Sequence, residues 1–457
     1  MKEKTSPKLA ISYALGEVGC QMSWYMINNY LTIFYTDIVG LTAAAISAIM
    51  LIARVWDAIN DPMMGTIADN TNTRWGRFRP YLMFAPPVLA VFNILTFTVF
   101  PVQGALKVVL CLIFYIGTGM AYTACSIAYQ ALQNVVAIDS KVRMNLATAR
   151  GIGSSVIGIF MSMFAMPMIL FFGKSDVATA KGYFWTTVVL SIAIIPVFLL
   201  CAIGCKETYT EQLHTETKEK MGFFKSIKEL VRNDQLLMVV LATIGGTICV
   251  TGRMGLLVYY VIYVAGSYQA VAYIFTVMTV AQLIGTVFVP WGTSKFGKRN
   301  YMIILNVIMI TGFVLMYINP TSNLAYLMGV SFICGLCNSA SSICYGMVGD
   351  SIEYGDWKLG TRQEGVAASM LSFGVKISTA ICGSAGVLLL SAAGYVAGAE
   401  QTEAAKAGIN LVVNIIPAVI AAISIVPLFF YKLTPKRVAE IREDLDAGRH
   451  AWDSEKK

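Results

Sequence analysis

The chain has 457 residues, of which 57% are apolar and 13% charged, with a formal net charge of +8 and only two histidines. A soluble core of that length cannot hide so much apolar surface, which excludes an ordinary water-soluble domain and sends the excess into lipid. The positive charge does not indicate nucleic acid, because the basic residues sit in the connections between apolar runs, where they set topology.

A bilayer core about 30 Å thick needs roughly 20 consecutive, mostly apolar residues per helix. Such runs are predicted at about 9–35, 43–68, 80–100, 107–132, 150–173, 182–204, 234–264, 269–292, 300–319, 322–349, 366–395 and 408–431. Stretches such as 188–200 do not alternate, which argues against barrel strands. The expected fold class is an all-α membrane protein of twelve transmembrane helices. Residues 1–8 are short and polar, so helix 1 is expected to be retained rather than cut away.

Arg74, Arg77 and Arg79 follow helix 2, Lys141 and Arg143 follow helix 4, and Lys218, Lys220, Lys225, Lys228 and Arg232 follow helix 6. Lys295, Lys298 and Arg299 follow helix 8, and Lys432, Lys436 and Arg437 follow helix 12. The opposite face has little beyond Lys107, Lys174, Lys181 and Lys406, so both termini are expected in the cytoplasm of a multi-pass cell-membrane protein. The charged connection at 205–233 separates a six-helix bundle at 1–204 from a second at 234–431, and a tail follows at 432–457. Gly65 with Gly76 and its arginines, and Gly292 with Gly297 and its basic neighbours, fall at matching places in the two halves. Internal duplication of this kind underlies many secondary transporters, which bind solute between the repeats.

Ten cysteines lie mostly in apolar runs and read as small hydrophobes, with no structural disulfide expected. Cys334 and Cys337 form a CxxC without a second pair. His214 and His450 lie in a loop and the tail, which excludes a histidine proton relay.

An ionisable side chain at mid-bilayer costs at least about 2.5 kcal/mol and calls for a partner or a task. Helix 2 carries Arg54, Asp57 and Asp61. The two aspartates are four residues apart, on one face with Cβ atoms roughly 6 Å apart. Two carboxylates so close repel in a low dielectric unless a cation lies between or beside them. Asn60 and Thr123 offer the neutral oxygens that a small hard cation prefers. A second reading stands beside this one: Arg54 neutralises Asp57, and Asp61, before Pro62, orders the helix end.

Helix 1 shows a polar stripe of Glu17, Gln21, Trp24 or Tyr25, and Asn28. Helix 4 repeats it with Tyr122, Ser126, Tyr129 or Gln130, and Gln133. Amides, hydroxyls and aromatic faces together suit sugars, although each residue alone could equally join helices. Lys376 lies well inside helix 11, too deep to reach either interface, and Arg150 opens helix 5. Arg253 in helix 7 is expected to meet an acid rather than a ligand.

The run from Arg54 to Gly65 (RVWDAINDPMMG), continued by Arg74 to Pro80 (RWGRFRP), resembles the hallmark of the glycoside-pentoside-hexuronide:cation symporters, the melibiose permease branch of the major facilitator superfamily. The segment from Asp350 to Glu364 (DSIEYGDWKLGTRQE) is similar to that family's motif after helix 10. The likeness spans essentially the whole chain and implies two six-helix halves with a shared central site. It implies that Asp57, Asp61 and Thr123 bind the coupling cation, Na+ or H+, with the two aspartates holding the metal if it is sodium. It also implies that Arg150 and Lys376 lie near the sugar. The sequence departs from melibiose permease at Gln21, Ser126 and Gln130, which puts melibiose itself in doubt, and Glu17 stands in for the family's helix 1 acid. Arg150 and Lys376 would also suit a carboxylated or sulfonated sugar. Arg74, Arg77, Asp350, Glu353 and Arg362 are expected to form a cytoplasmic gate of salt bridges.

The expected function is symport of a glycoside, pentoside or hexuronide with a cation, by a monomer that needs no cofactor. No GxxxxGK[ST] loop is present for ATP, and no second catalytic cluster supports an enzyme. A proton-coupled or lipid-type carrier and a non-transporting sensor are the alternatives.

Overall fold

The computed structural model describes residues 6–137, 140–207, 232–360 and 364–451. Within them the regular structure is helical. Helices α1 to α6 span Pro7–Ile33, Ala43–Asn70, Arg79–Thr96, Ala105–Val136, Ser140–Gly173 and Ala180–Gly204. Helices α7 to α12 span Asp234–Tyr259, Tyr268–Phe296, Lys298–Ile318, Leu324–Cys337, Ala340–Leu359 and Glu364–Ala392. Three shorter ones follow: α13 Glu403–Asn410, α14 Ile416–Phe430 and α15 Pro435–Asp446. Among the described residues, nine helical spans are long and apolar enough to cross a membrane, α13 and α14 counting as one with the turn that joins them. Their outward side chains, such as Phe171, Val287, Ile318 and Phe429, are exposed, as lipid-facing surface requires.

Helix starts are chemically marked. Thr42, Thr179, Asn233, Asn323, Thr402 and Thr434 each accept a hydrogen bond from a backbone N–H of the first turn. Such caps satisfy donors that have no intrahelical partner.

Two expectations need correction. The run predicted as one helix at 322–349 is two, α10 and α11, broken at Asn338 and Ser339. Asn338 N–H still bonds back to Cys334 and Gly335, and Ser339 Oγ donates to Leu336 O, so polar side chains at the break compete with the helical ladder. Helix α5 begins at Ser140, ten residues before the expected start, because its first turns are polar but helical. Arg150 therefore lies well inside α5 rather than at its start.

The chain forms two compact units. The first comprises Met1–Lys218, Ser267–Thr276 and Val396–Gln401, and the second Glu219–Gly266, Val277–Tyr395 and Thr402–Lys457. They share a local signature. In the first, α1 passes into a π-turn at Phe34–Ile38, closed by the Val39 N–H on Phe34 O and ended by Gly40 at φ 72°. In the second, α7 passes into a π-turn at Tyr260–Val264, closed by the Ala265 N–H on Tyr260 O and ended by Gly266 at φ 78°. Positive φ is cheap only for glycine, so the two stops are the same solution in the first helix of each unit. A third π-turn, Leu411–Ile415, joins α13 to α14.

Candidate functional site

In the first unit, α1 and α5 approach closely because both use small residues. A Cβ on Gly153 would lie 2.7 Å from the Ala14 carbonyl oxygen. One turn away on each helix, Arg150 Nε donates to Glu17 Oε2 at 2.8 Å. Glu17 is only 6% exposed, and its other oxygen accepts from Gln21 Nε2 at 2.9 Å. The arginine sits over the Tyr129 ring at 5.8 Å, and Tyr129 stacks on Tyr13 at 4.7 Å. Arg150 is half-buried, with the Nε–Glu17 bond as its described link to a carboxylate.

Helices α2 and α4 pack in matched four-residue steps. Asp57 Oδ1 lies 3.1 Å from where a Cβ on Gly119 would stand, and four residues further along both helices Thr123 Oγ1 donates to Asp61 Oδ1 at 3.1 Å. Gly119 is what lets Asp57 come this near to α4. Asn60 lies between the two aspartates, 2% exposed, and its Nδ2 has no hydrogen-bond partner. Oxygen and nitrogen of an amide are interchangeable by a half-turn, which would present an oxygen there instead.

Arg54 links the acidic pair to an aromatic stack. Its Nη1 is 3.3 Å from Asp57 Oδ2, and its guanidinium lies 5.3 Å from the Trp24 ring centre. Trp24 in turn stacks on Tyr122 at 4.8 Å, directly before Thr123. Of the two aromatic residues at this point of the stripe, Trp24 carries the stack, and the buried Tyr25 hydroxyl has no hydrogen-bond partner. Ser126 Oγ donates to Thr123 O at 3.5 Å, and Asn28 and Gln130 are exposed on the same unit. The structure thus brings Glu17, Gln21, Arg150 and Tyr129 into one group and Asp57, Asn60, Asp61 and Thr123 into another.

Several of the residues expected to form a gate have described partners close by in their own unit. Glu207 accepts three backbone N–H bonds, from Arg77 at 2.7 Å, Phe78 at 2.7 Å and Arg79 at 2.8 Å. A Cβ on Gly76, which sits at φ 110°, would come within 2.6 Å of that carboxylate. Arg79 Nε donates to Ala202 O at 2.7 Å, and Arg74 lies over Trp75 at 4.1 Å. Glu207 is a functional-looking anchor that sequence reading missed; its spacing of more than a hundred residues from the loop leaves no local signal. In the second unit Asp350 pairs with Lys298 at 2.7 Å and Arg442 at 3.7 Å, and Glu353 pairs with Arg442 at 2.7 Å. Burial pushes the Asp350 carboxyl up, against the opposing pull of Lys298 and Arg442. Arg362, the linker lysines 218, 220, 225 and 228, and His214 lie outside the described residues.

Lys376 is exposed on α12 within the span Met370–Ala392. Arg253 does not meet an acid among the described residues. Fully buried, it donates to Met316 Sδ at 2.9 Å and Asn414 Oδ1 at 3.4 Å, under the Phe313 ring at 4.4 Å. Asn414 donates to Asn410, which donates to Tyr317 O, so the arginine ties α7, α9 and the third π-turn together.

The comparisons with known proteins agree with this architecture. The chain is 30% identical over 445 residues to the isoprimeverose transporter of Lactiplantibacillus pentosus, covering 94% of this chain and 90% of that one. It is 29% identical over 454 residues to the glucuronide carrier protein homolog of Escherichia coli strain K12, covering 98% and 97%. A crystal structure of a D-xylose-proton symporter shares the fold with a TM-score of 0.65 at 13% identity, covering 94% of this chain and 98% of that one. With residues 12–435 matching the family described as MFS/sugar transport protein, this multi-pass membrane chain belongs to that family of transporters and is not an enzyme.

Proposed function

We propose that the protein carries a glycoside, pentoside or hexuronide across the cell membrane together with a monovalent cation, Na+ or H+, by alternating access. The observation that supports this best is Arg54. One guanidinium contacts both Asp57 of the acidic pair and Trp24 of the aromatic stack. A cation entering between Asp57 and Asp61 competes with Arg54 for carboxylate charge, and a displaced Arg54 changes its hold on the ring beside the solute. That is a coupling of two sites through one two-way partner. The cation is cargo here, held by Asp57, Asp61, Thr123 and a turned Asn60 amide.

Glu17, Gln21, Trp24, Tyr122, Ser126, Arg150 and, from the second unit, Lys376 form the solute-binding set in this reading. Tyr25, Asn28 and Gln130 are secondary members. Arg150 is half-buried, and a guanidinium there suits ring hydroxyls or a carboxylate. The named relatives include one carrier for isoprimeverose and one for a glucuronide. Twelve spans with both termini cytoplasmic, halves at 1–204 and 234–431, and a gate drawn from Arg74, Arg77, Asp350, Glu353 and Arg362 complete the proposal.

Radiolabelled uptake into vesicles, across neutral and acidic glycosides with an imposed Na+ or pH gradient, tests it. Cation stimulation should vanish in both Asp57→Cys and Asp61→Cys. Retained stimulation in both would overturn the cation site.

A further inference from the structure

The second unit holds a cavity of about 220 Å³ lined by α7, α8, α9, α11 and α12 and by Cys337 and Asn338 at the end of α10. Its lining carries no charged residue. Several hydroxyl groups on these helices fold back on their own backbone: Thr243 Oγ1 donates to Val239 O, Thr276 to Ala272 O, Thr286 to Gln282 O and Thr311 to Val307 O. Thr247 and Thr251 break that pattern. One and two turns along α7 from Thr243, they line the cavity, and among the described residues their hydroxyls engage no protein group. The Gln282 amide on α8 is uncommitted in the same way, and Asn306 on α9 spends only its Nδ2, on Met302 O. Met302 and Met309 add apolar, deformable walls.

Uncommitted hydroxyls and amides inside membrane-spanning helices cannot be left to hydrocarbon cheaply. Each is both donor and acceptor, which matches hydroxyl groups and not an acyl chain, and with no carboxylate in the lining nothing there offsets the charge of a cation. We propose that this cavity is a subsite for a neutral, polyhydroxylated ring, with Thr247, Thr251 and Gln282 as specificity-determining contacts. It rests on the sugar-transport reading above and assigns to the second unit the recognition of uncharged hydroxyls. Water is the competing occupant, since the volume holds about seven waters at liquid density.

The test is uptake of a methyl glycoside that the wild type transports, and of its monodeoxy analogues, by Thr247→Val/Thr251→Val and separately by Gln282→Leu, with Thr311→Val as control. Losing two neutral hydrogen bonds should raise KM roughly tenfold with Vmax retained. One deoxy analogue should lose its disadvantage in the variant, and Thr247→Ser should restore the wild-type preference. The control should behave as wild type. If the double variant does not fold, Gln282→Leu carries the same readout alone. Unaltered KM and unaltered deoxy discrimination in variants that still transport would overturn the subsite and leave water as its content. No glycoside uptake by the wild type would instead refute the reading on which it rests.

Discussion

The first helix of each unit ends alike, in a π-turn and a left-handed glycine, yet the charges buried on α1 and α2 are partnered differently from the one buried on α7. In the first, membrane-depth charges come in pairs: Glu17 with Arg150 and Arg54 with Asp57, with Asp61 held by Thr123. In the second, the buried Arg253 is matched with a thioether, an amide and a ring, and the cavity beside α7 is lined by neutral groups only. A duplicated backbone fixes where helices stop. It does not fix which side chains the two copies bury or what partners those side chains meet.

The largest effect should come from breaking the Glu17–Arg150 pair. Arg150→Gln leaves a buried carboxylate without its counter-charge, a loss of about 3 kcal/mol or more, so solute uptake should fall roughly a hundredfold. Adding Glu17→Gln should restore thermal stability but not uptake. Recovery of uptake in the double variant would make the pair structural glue, and the contrast between the units would weaken.

Arg253 sharpens the other side. With no described carboxylate partner, replacing it by a residue of similar shape and no charge removes a desolvation cost. Arg253→Met should therefore match or exceed the wild-type melting temperature, whereas Arg253→Ala, which leaves a cavity, should lose about 2–4 kcal/mol. A large loss in both would show that the charge itself is needed.

Glu207 tests how the loop after α2 is held. Glu207→Ala frees three backbone donors at 77–79 and should lower stability by roughly 2 kcal/mol, read by thermal unfolding in detergent. Gly76→Ala should give a similar loss through its positive φ and the crowded carboxylate.

The smallest effect is a pH dependence in the second unit. Burial raises the Asp350 carboxyl above its ordinary value despite Lys298 and Arg442, with Glu353 adding to the rise. A carboxyl raised in the folded state binds protons more tightly folded than unfolded. Its contribution is present below the ordinary carboxylate value and is lost as pH rises through the raised one. Asp350→Asn should flatten that part of the stability profile in mildly acidic buffer, and an unchanged slope would count against the burial.

Much of the fold could be read from the amino-acid order because lipid leaves a chain few options. Apolar runs must be helices, and the predicted ends at 234, 264 and 204 fall where the helical segments end. The acidic pair on α2 was legible for the same reason: four-residue spacing puts Asp57 and Asp61 on one face whatever the neighbours are. Tertiary structure decided the rest. Glu17 meets Arg150 across 133 positions, Glu207 meets Phe78 across 129, and Thr243 bonds back to Val239 O while Thr247, on the same cavity wall, makes no described bond. Periodicity fixes the face of one helix. Which face of another helix it meets depends on close approaches, such as that of Gly153 to Ala14, and those are set by packing in three dimensions.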